Sequence, residues 1–134
     1  MTDDPQRSRP ASLGTVRVEA CVVSVEEGIA AVAAGADRLE LCVDLSVGGL
    51  SPELEDVRRL TDSVDVPVLV MVRPRAGAFT ASPDEVTAME REVEALRTTG
   101  AAGFVAGVST ADGSIEITTT SGSAINAFQS WGST

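Results

Sequence analysis

Between Thr15 and Val108 one rhythm repeats four times: a short strand-like run, then a longer stretch with helical spacing. That alternation restricts the chain to architectures with a parallel sheet and right-handed crossovers. Thr15–Cys21 alternates strictly, with Val16, Val18 and Ala20 on one face and Arg17, Glu19 and Cys21 on the other. Ser24 and Glu27 have capping-box spacing and open a helix whose stripe is Val25, Ile29 and Val32, with Gly35 as its C-terminal cap. The second strand, Asp37–Cys42, places Leu39 and Leu41 opposite Arg38, Glu40 and Cys42. A Gly-rich loop, 46–51, leads to Pro52 as first helical residue, ahead of a stripe of Leu54, Val57, Leu60 and Val64. Val68–Arg73 is the third strand. Ser82-Pro-Asp-Glu85 caps a third helix that carries Val86, Met89, Val93 and Leu96 and runs to Gly100. Gly103–Val108 is the fourth strand.

Two architectures satisfy this pattern: an open doubly wound sheet, with helices on both faces, or part of a (β/α)8 barrel. A whole barrel takes about 250 residues, and this chain has 134. The expected fold is therefore α/β of TIM-barrel type, truncated to about the first four βα units. Residues 1–14 are polar and aperiodic and read as a disordered arm. Residues 15–116 form the partial barrel. Residues 117–134 carry no charge, whereas all 30 charged residues precede them. The helical spacing also stops there, so this tail reads either as a flexible Ser/Thr/Gly segment or, the favoured reading, as a change of reading frame or a truncation of a longer protein.

The chemistry of the chain is narrowed by what it lacks. It contains no His, and all ten of its basic residues are Arg. Catalysis through Ser–His or Cys–His pairs and His-zinc sites is thereby excluded within these residues. A net charge of −10 argues against nucleic acid and anionic membranes as partners. The N-terminus has no apolar signal segment, no apolar run reaches membrane-spanning length, and two cysteines are too few for a disulfide framework. A cytoplasmic protein with reduced thiols is expected.

Glu-x-Cys occurs at the end of each of the first two strands, as Glu19-Ala-Cys21 and Glu40-Leu-Cys42. A period of two puts each Glu and Cys on one face, opposite the aliphatic face that meets the helices. On strand 3 the same face carries Leu69, Met71 and Arg73. Two inward carboxylates need a cation or a shifted pKa. Glu19, Glu40 and Arg73 thus make either an ion-paired network that fixes register or a polar catalytic site at the strand C-termini. Cys21 and Cys42 read either as small buried hydrophobes or, with Met71, as soft sulfur donors of the kind that suits Cu(I). Arg73 and Arg75 can hold a carboxylate or phosphate bidentately, which suits a small anionic substrate. Gly48-Gly49 allows a close backbone approach or an anion-binding turn.

In chain order, Glu19-x-Cys21, Ala36-Asp-Arg-Leu-Glu-Leu-Cys42, Gly48-Gly-Leu-Ser-Pro52, Val70-Met-Val-Arg-Pro-Arg75 and Gly103-Phe-Val-x-Gly107-Val-x-Thr-x-Asp-Gly113 closely resemble the CutC family of copper homeostasis proteins. The resemblance covers about residues 16–116. It implies a (β/α)8 barrel, cytoplasmic location, homo-oligomerisation and an association with copper, with Cys21 and Cys42 as Cu(I) ligands. Val23 stands where the family commonly has Asp, and Ala76-Gly-Ala-Phe79 replaces its Gly-Gly-Asp-Phe. The family's second barrel half, with a His-bearing strand, has no counterpart in these 134 residues.

Overall fold

A computed structural model of the chain describes residues 16–107 and 109 and, by backbone alone, 119–120 and 123–124. The expected N-terminal arm, and most of the uncharged tail, lie outside the described residues.

Strands β1 (Glu19–Val22), β2 (Arg38–Leu41), β3 (Val68–Met71) and β4 (Gly103–Val105) form one sheet in the order β1-β2-β3-β4. Every pairing within it is parallel, with Glu19 opposite Arg38, Leu39 opposite Val68 and Leu69 opposite Gly103. Helices α1 (Val25–Ala33), α2 (Leu54–Ser63) and α3 (Pro83–Leu96) make the crossovers. Strand order follows chain order without a reversal, and the helices pack on one face of the sheet. A doubly wound sheet would reverse its strand order and split its helices between two faces. The fold is α/β of barrel type. A separate antiparallel pair joins β5 (Thr119–Thr120) to β6 (Ser123–Ala124).

Alternation along the strands decides which face is the core. Leu39, Leu41, Val68, Val70 and Val72 are at most 2% exposed and pack with Val57 and Leu60 of α2 and Met89, Val93 and Leu96 of α3. Burying each such side chain is worth about 1.5–3 kcal/mol. The opposite face carries Glu19, Cys21, Glu40, Cys42, Met71 and Arg73.

Three local expectations change. β1 starts at Glu19, not Thr15. A strand needs a ladder partner, and that of Glu19 is Arg38, the first residue of β2. Just before it, the Asp37 carboxylate accepts the Val18 N–H at 2.6 Å, and Val16 and Val18 are exposed. On α1, Ile29 is exposed, whereas Gly28 is buried. A Cβ on Gly28 would lie 2.5 Å from Cδ1 of Leu60 and 3.3 Å from Cδ1 of Leu39, so glycine sets how closely α1 approaches α2. Pro52 lies just outside α2, whose N-cap is Glu53. The capping box of α3 forms as spaced: Ser82 Oγ accepts from Glu85 N–H at 3.2 Å, and the Glu85 carboxylate accepts from Ser82 N–H.

Candidate functional site

The face away from the helices gathers the chain's chemistry at the C-terminal end of β1 to β3. Because β1 and β2 are parallel and in register, Cys21 sits opposite Glu40, and Cys42, the residue just past the end of β2, follows Glu40 at the spacing of two that keeps the same face. Their sulfurs are 3.7 Å apart in an S–H···S contact. The two thiols are unequal, since Cys21 is exposed and Cys42 is 0% exposed. Burial, first of all, pushes the Cys42 thiol up to about 12, helped by its contact with Cys21 and by repulsion from Cys21, Glu40 and Glu27.

The loop after β2 closes over Cys42. It turns through a 3-10 segment, Leu45–Val47, and two glycines with φ of +92°. Glycine tolerates that left-handed backbone without the clash an L side chain suffers. At Gly49 a second reason applies: a Cβ there would sit 3.3 Å from Cys42 Sγ and 3.4 Å from Cε of Met71. Of the readings open to Gly48-Gly49, the close backbone approach is the one present, and it brings the loop down upon two sulfur side chains.

Beside the thiols, Glu40 is 9% exposed and its carboxyl is raised above the usual range. Burial is the main cause, hydrogen bonding and repulsion from Glu19 add to it, and Arg38 opposes it. Glu19 itself ion-pairs with the Nε of Arg38. The expected cluster of Glu19, Glu40 and Arg73 is therefore assembled differently. Arg38, a register neighbour one strand away, takes the role expected of Arg73. Its place on the inward face of strand 2, beside Glu40, was the signal available in the sequence.

Arg73 is turned instead toward the loops. Its Nη1 donates to the carbonyls of Val47 (2.6 Å) and Gly49 (3.0 Å), and its Nη2 to that of Gly77 (2.8 Å). The guanidinium lies 4.5 Å from the Phe79 ring centroid, a cation–π distance. Its Nε is buried with no hydrogen-bond partner. Backbone contacts reinforce the clip: Ser51 N–H donates to Arg73 C=O at 2.9 Å, and Arg73 N–H to Ser51 Oγ at 2.8 Å. Arg73 thereby fastens the loop after β2 to the loop after β3. Arg75 forms a two-pronged pair with Glu85 of α3 and donates to the Thr80 carbonyl at 2.9 Å. The Arg75 guanidinium holds the Glu85 carboxyl below its usual range. Neither arginine presents an open fork to an anion.

Among the described residues, no three His, Cys, Asp or Glu side chains converge as a metal cluster. No helix among them is long and apolar enough to cross a membrane. The sulfur donors stand apart from such a count, because Met71 contributes a thioether.

Fold and site together define a parallel α/β protein of barrel type with a dithiol and a paired-carboxyl group at the strand ends. Residues 16–132 match the CutC family, and the chain belongs to that family. It is 48% identical over 99 residues to a CutC family protein of Mesorhizobium japonicum, covering 74% of this chain and 38% of the relative. It is 42% identical over 99 residues to the human copper homeostasis protein cutC homolog, covering 74% of this chain and 36% of that protein. The crystal structure of a CutC protein from Streptococcus agalactiae superposes with a TM-score of 0.67 at 25% identity, over 72% of this chain and 48% of that one. The chain spans about two-fifths of the length of the curated relatives it matches. The family match runs to residue 132, past Glu116, where the sequence resemblance ends.

Proposed function

We propose that this chain serves copper homeostasis in the cytoplasm by holding Cu(I) between Cys21 and Cys42. The observation that carries the reading is the 3.7 Å approach of the two sulfurs at the ends of adjacent strands. The donor set fits: thiolates, with the Met71 thioether close by under Gly49, are soft ligands that favour Cu(I) over hard cations. The names of the human and Caenorhabditis elegans relatives, copper homeostasis protein cutC homologs, support the same role. Binding must displace the Cys42 proton, so affinity rises with pH. Anaerobic Cu(I) titration of the wild type and of a Cys21→Ala/Cys42→Ala variant tests the reading. One Cu(I) per chain, lost in the variant, is the expected result; an unchanged stoichiometry and affinity removes the dithiol from the site.

A second reading is favoured by Glu40. A buried carboxyl that holds its proton above the ordinary range, next to the Glu19 side chain that pairs with Arg38, is the arrangement of a general acid and its partner. On that reading the chain is an enzyme acting on a small molecule at the strand ends. Glu40 is the proton donor, Glu19 its partner, and Arg38 the cation at the site. Arg73 and Arg75 shape the rim, rather than hold an anionic substrate. Screening small carboxylates and phosphates by thermal shift, with Glu40→Gln as control, tests it. A stabilising ligand whose effect survives Glu40→Gln and Glu19→Gln unchanged would place the binding elsewhere.

A further inference from the structure

We infer that Cys21 and Cys42 form a thiol–disulfide exchange site, in which Cys21 attacks a small-molecule disulfide and the oxidation is completed by a Cys21–Cys42 bond. The geometry divides the two roles. Only Cys21 is exposed, so only its sulfur meets an oxidant from solution. Cys42 is 0% exposed, and the loop that carries Gly49 covers it, with the Gly49 Cβ position 3.3 Å from its sulfur. It therefore reacts with what lies inside the fold, and the Cys21 sulfur is 3.7 Å away. Strand register holds that proximity: Cys21 lies in β1, Cys42 directly follows β2, and the Cys42 N–H donates to the Val22 carbonyl at 3.1 Å.

The chemistry balances with a disulfide RSSR as oxidant. The Cys21 thiolate attacks one sulfur of RSSR, forming Cys21–S–SR and releasing RSH. The Cys42 sulfur then attacks the Cys21 sulfur, forming the internal disulfide and releasing a second RSH. Two protein thiols are oxidised, one RSSR is reduced, and the two protein protons leave on the two RSH. Both sulfurs are consumed, so the oxidised chain has no thiolate left for a soft metal. The inference does not rest on copper binding, and its test contains no metal.

The probe is oxidised glutathione, added to the full chain under native conditions and quenched in acid with an alkylating agent. Cleavage at arginine separates the cysteines into peptides 18–38 and 39–58. The expected end product is a chain lighter by two hydrogens, with these two peptides linked to each other. A glutathione adduct on Cys21 should precede it. Cys42→Ser should stop at that adduct, and Cys21→Ser should take up no glutathione while folded. A wild type that ends as the Cys21 adduct, as a chain joined to a second chain through Cys21, or unmodified overturns the inference. The linked-peptide readout uses the wild type, so it stands even if a variant fails to fold.

Discussion

Glu40 makes the pH dependence of this protein readable at a single side chain. Its carboxyl keeps its proton more tightly in the folded chain than its ordinary value of 4.5 implies. Such a group contributes stability that is fully present below the unfolded value and is lost as pH rises through the raised folded value. Melting temperatures of wild type and Glu40→Gln, taken from about pH 4.5 to neutrality, should therefore converge at the acid end. They should separate in favour of the variant toward neutral pH. A constant difference between the two would mean that Glu40 ionises normally in the fold. Glu85 runs the other way: Arg75 lowers its pKa, so its contribution is present above the ordinary value and is lost as pH falls through the folded one. Cys42 adds a second alkaline limit. Its thiol is held neutral up to about 12, so a charged alkylating agent should modify Cys21 at pH 8 and spare Cys42 until the chain unfolds.

Two elements carry predictions of stability. In α1, Gly28→Val drives a branched side chain into Leu60, itself 0% exposed and unable to swing aside. Overpacking of this kind costs about 1–3 kcal/mol, and an unfolding free energy lowered by that amount in urea titration is expected. At α3, Ser82→Ala removes one half of the capping box and costs about 1 kcal/mol. How far the elements could be read in advance follows from which atoms make them. Leu39 and Leu41 against Glu40 and Cys42 is a side-chain pattern of period two, and the sheet obeys it. Ser82 and Glu85 announce their cap by spacing alone. Ile29 faces solvent rather than the core, and helical spacing cannot see that a glycine one position earlier lets α2 come close. The inward face was legible from the Glu-x-Cys repeat, but the unequal exposure of the two thiols was not, because the loop that carries Gly49 covers Cys42 alone. The role of Arg73 was not, because its acceptors are the carbonyls of Val47, Gly49 and Gly77, and every residue has a carbonyl. The exchange of Arg73 for Arg38 as the partner of Glu19 likewise depends on register, which sets which inward side chains face each other. Arg73→Ala should cost about 1.5–3 kcal/mol, the range for hydrogen bonds to a charged group. It should also speed amide exchange at Val47–Gly49 relative to β3, since both loops lose their shared anchor.

For the molecule as a whole, strand order copied from chain order has an energetic meaning. Among the described residues, each strand of the four-stranded sheet pairs only with its neighbours in sequence. The chain is thus wired like a short row of dominoes, in which every unit leans on the one before and the one after. In such arrays stability is a sum of unit terms and nearest-neighbour terms, and loss starts at the ends. Self-association, expected from the sequence, would join row ends to one another; sedimentation equilibrium at rising concentration should show it, and a monodisperse monomer would refute it. In the monomer at low concentration, amides of β2 and β3 should exchange slowest and those of β1 and β4 fastest, a gradient rather than one common rate. Cys21 then lies on an outer unit and Cys42 on an inner one. The sulfur pair bridges the seam between a part of the sheet that opens often and a part that opens seldom, so oxidation would bolt the first domino to the second.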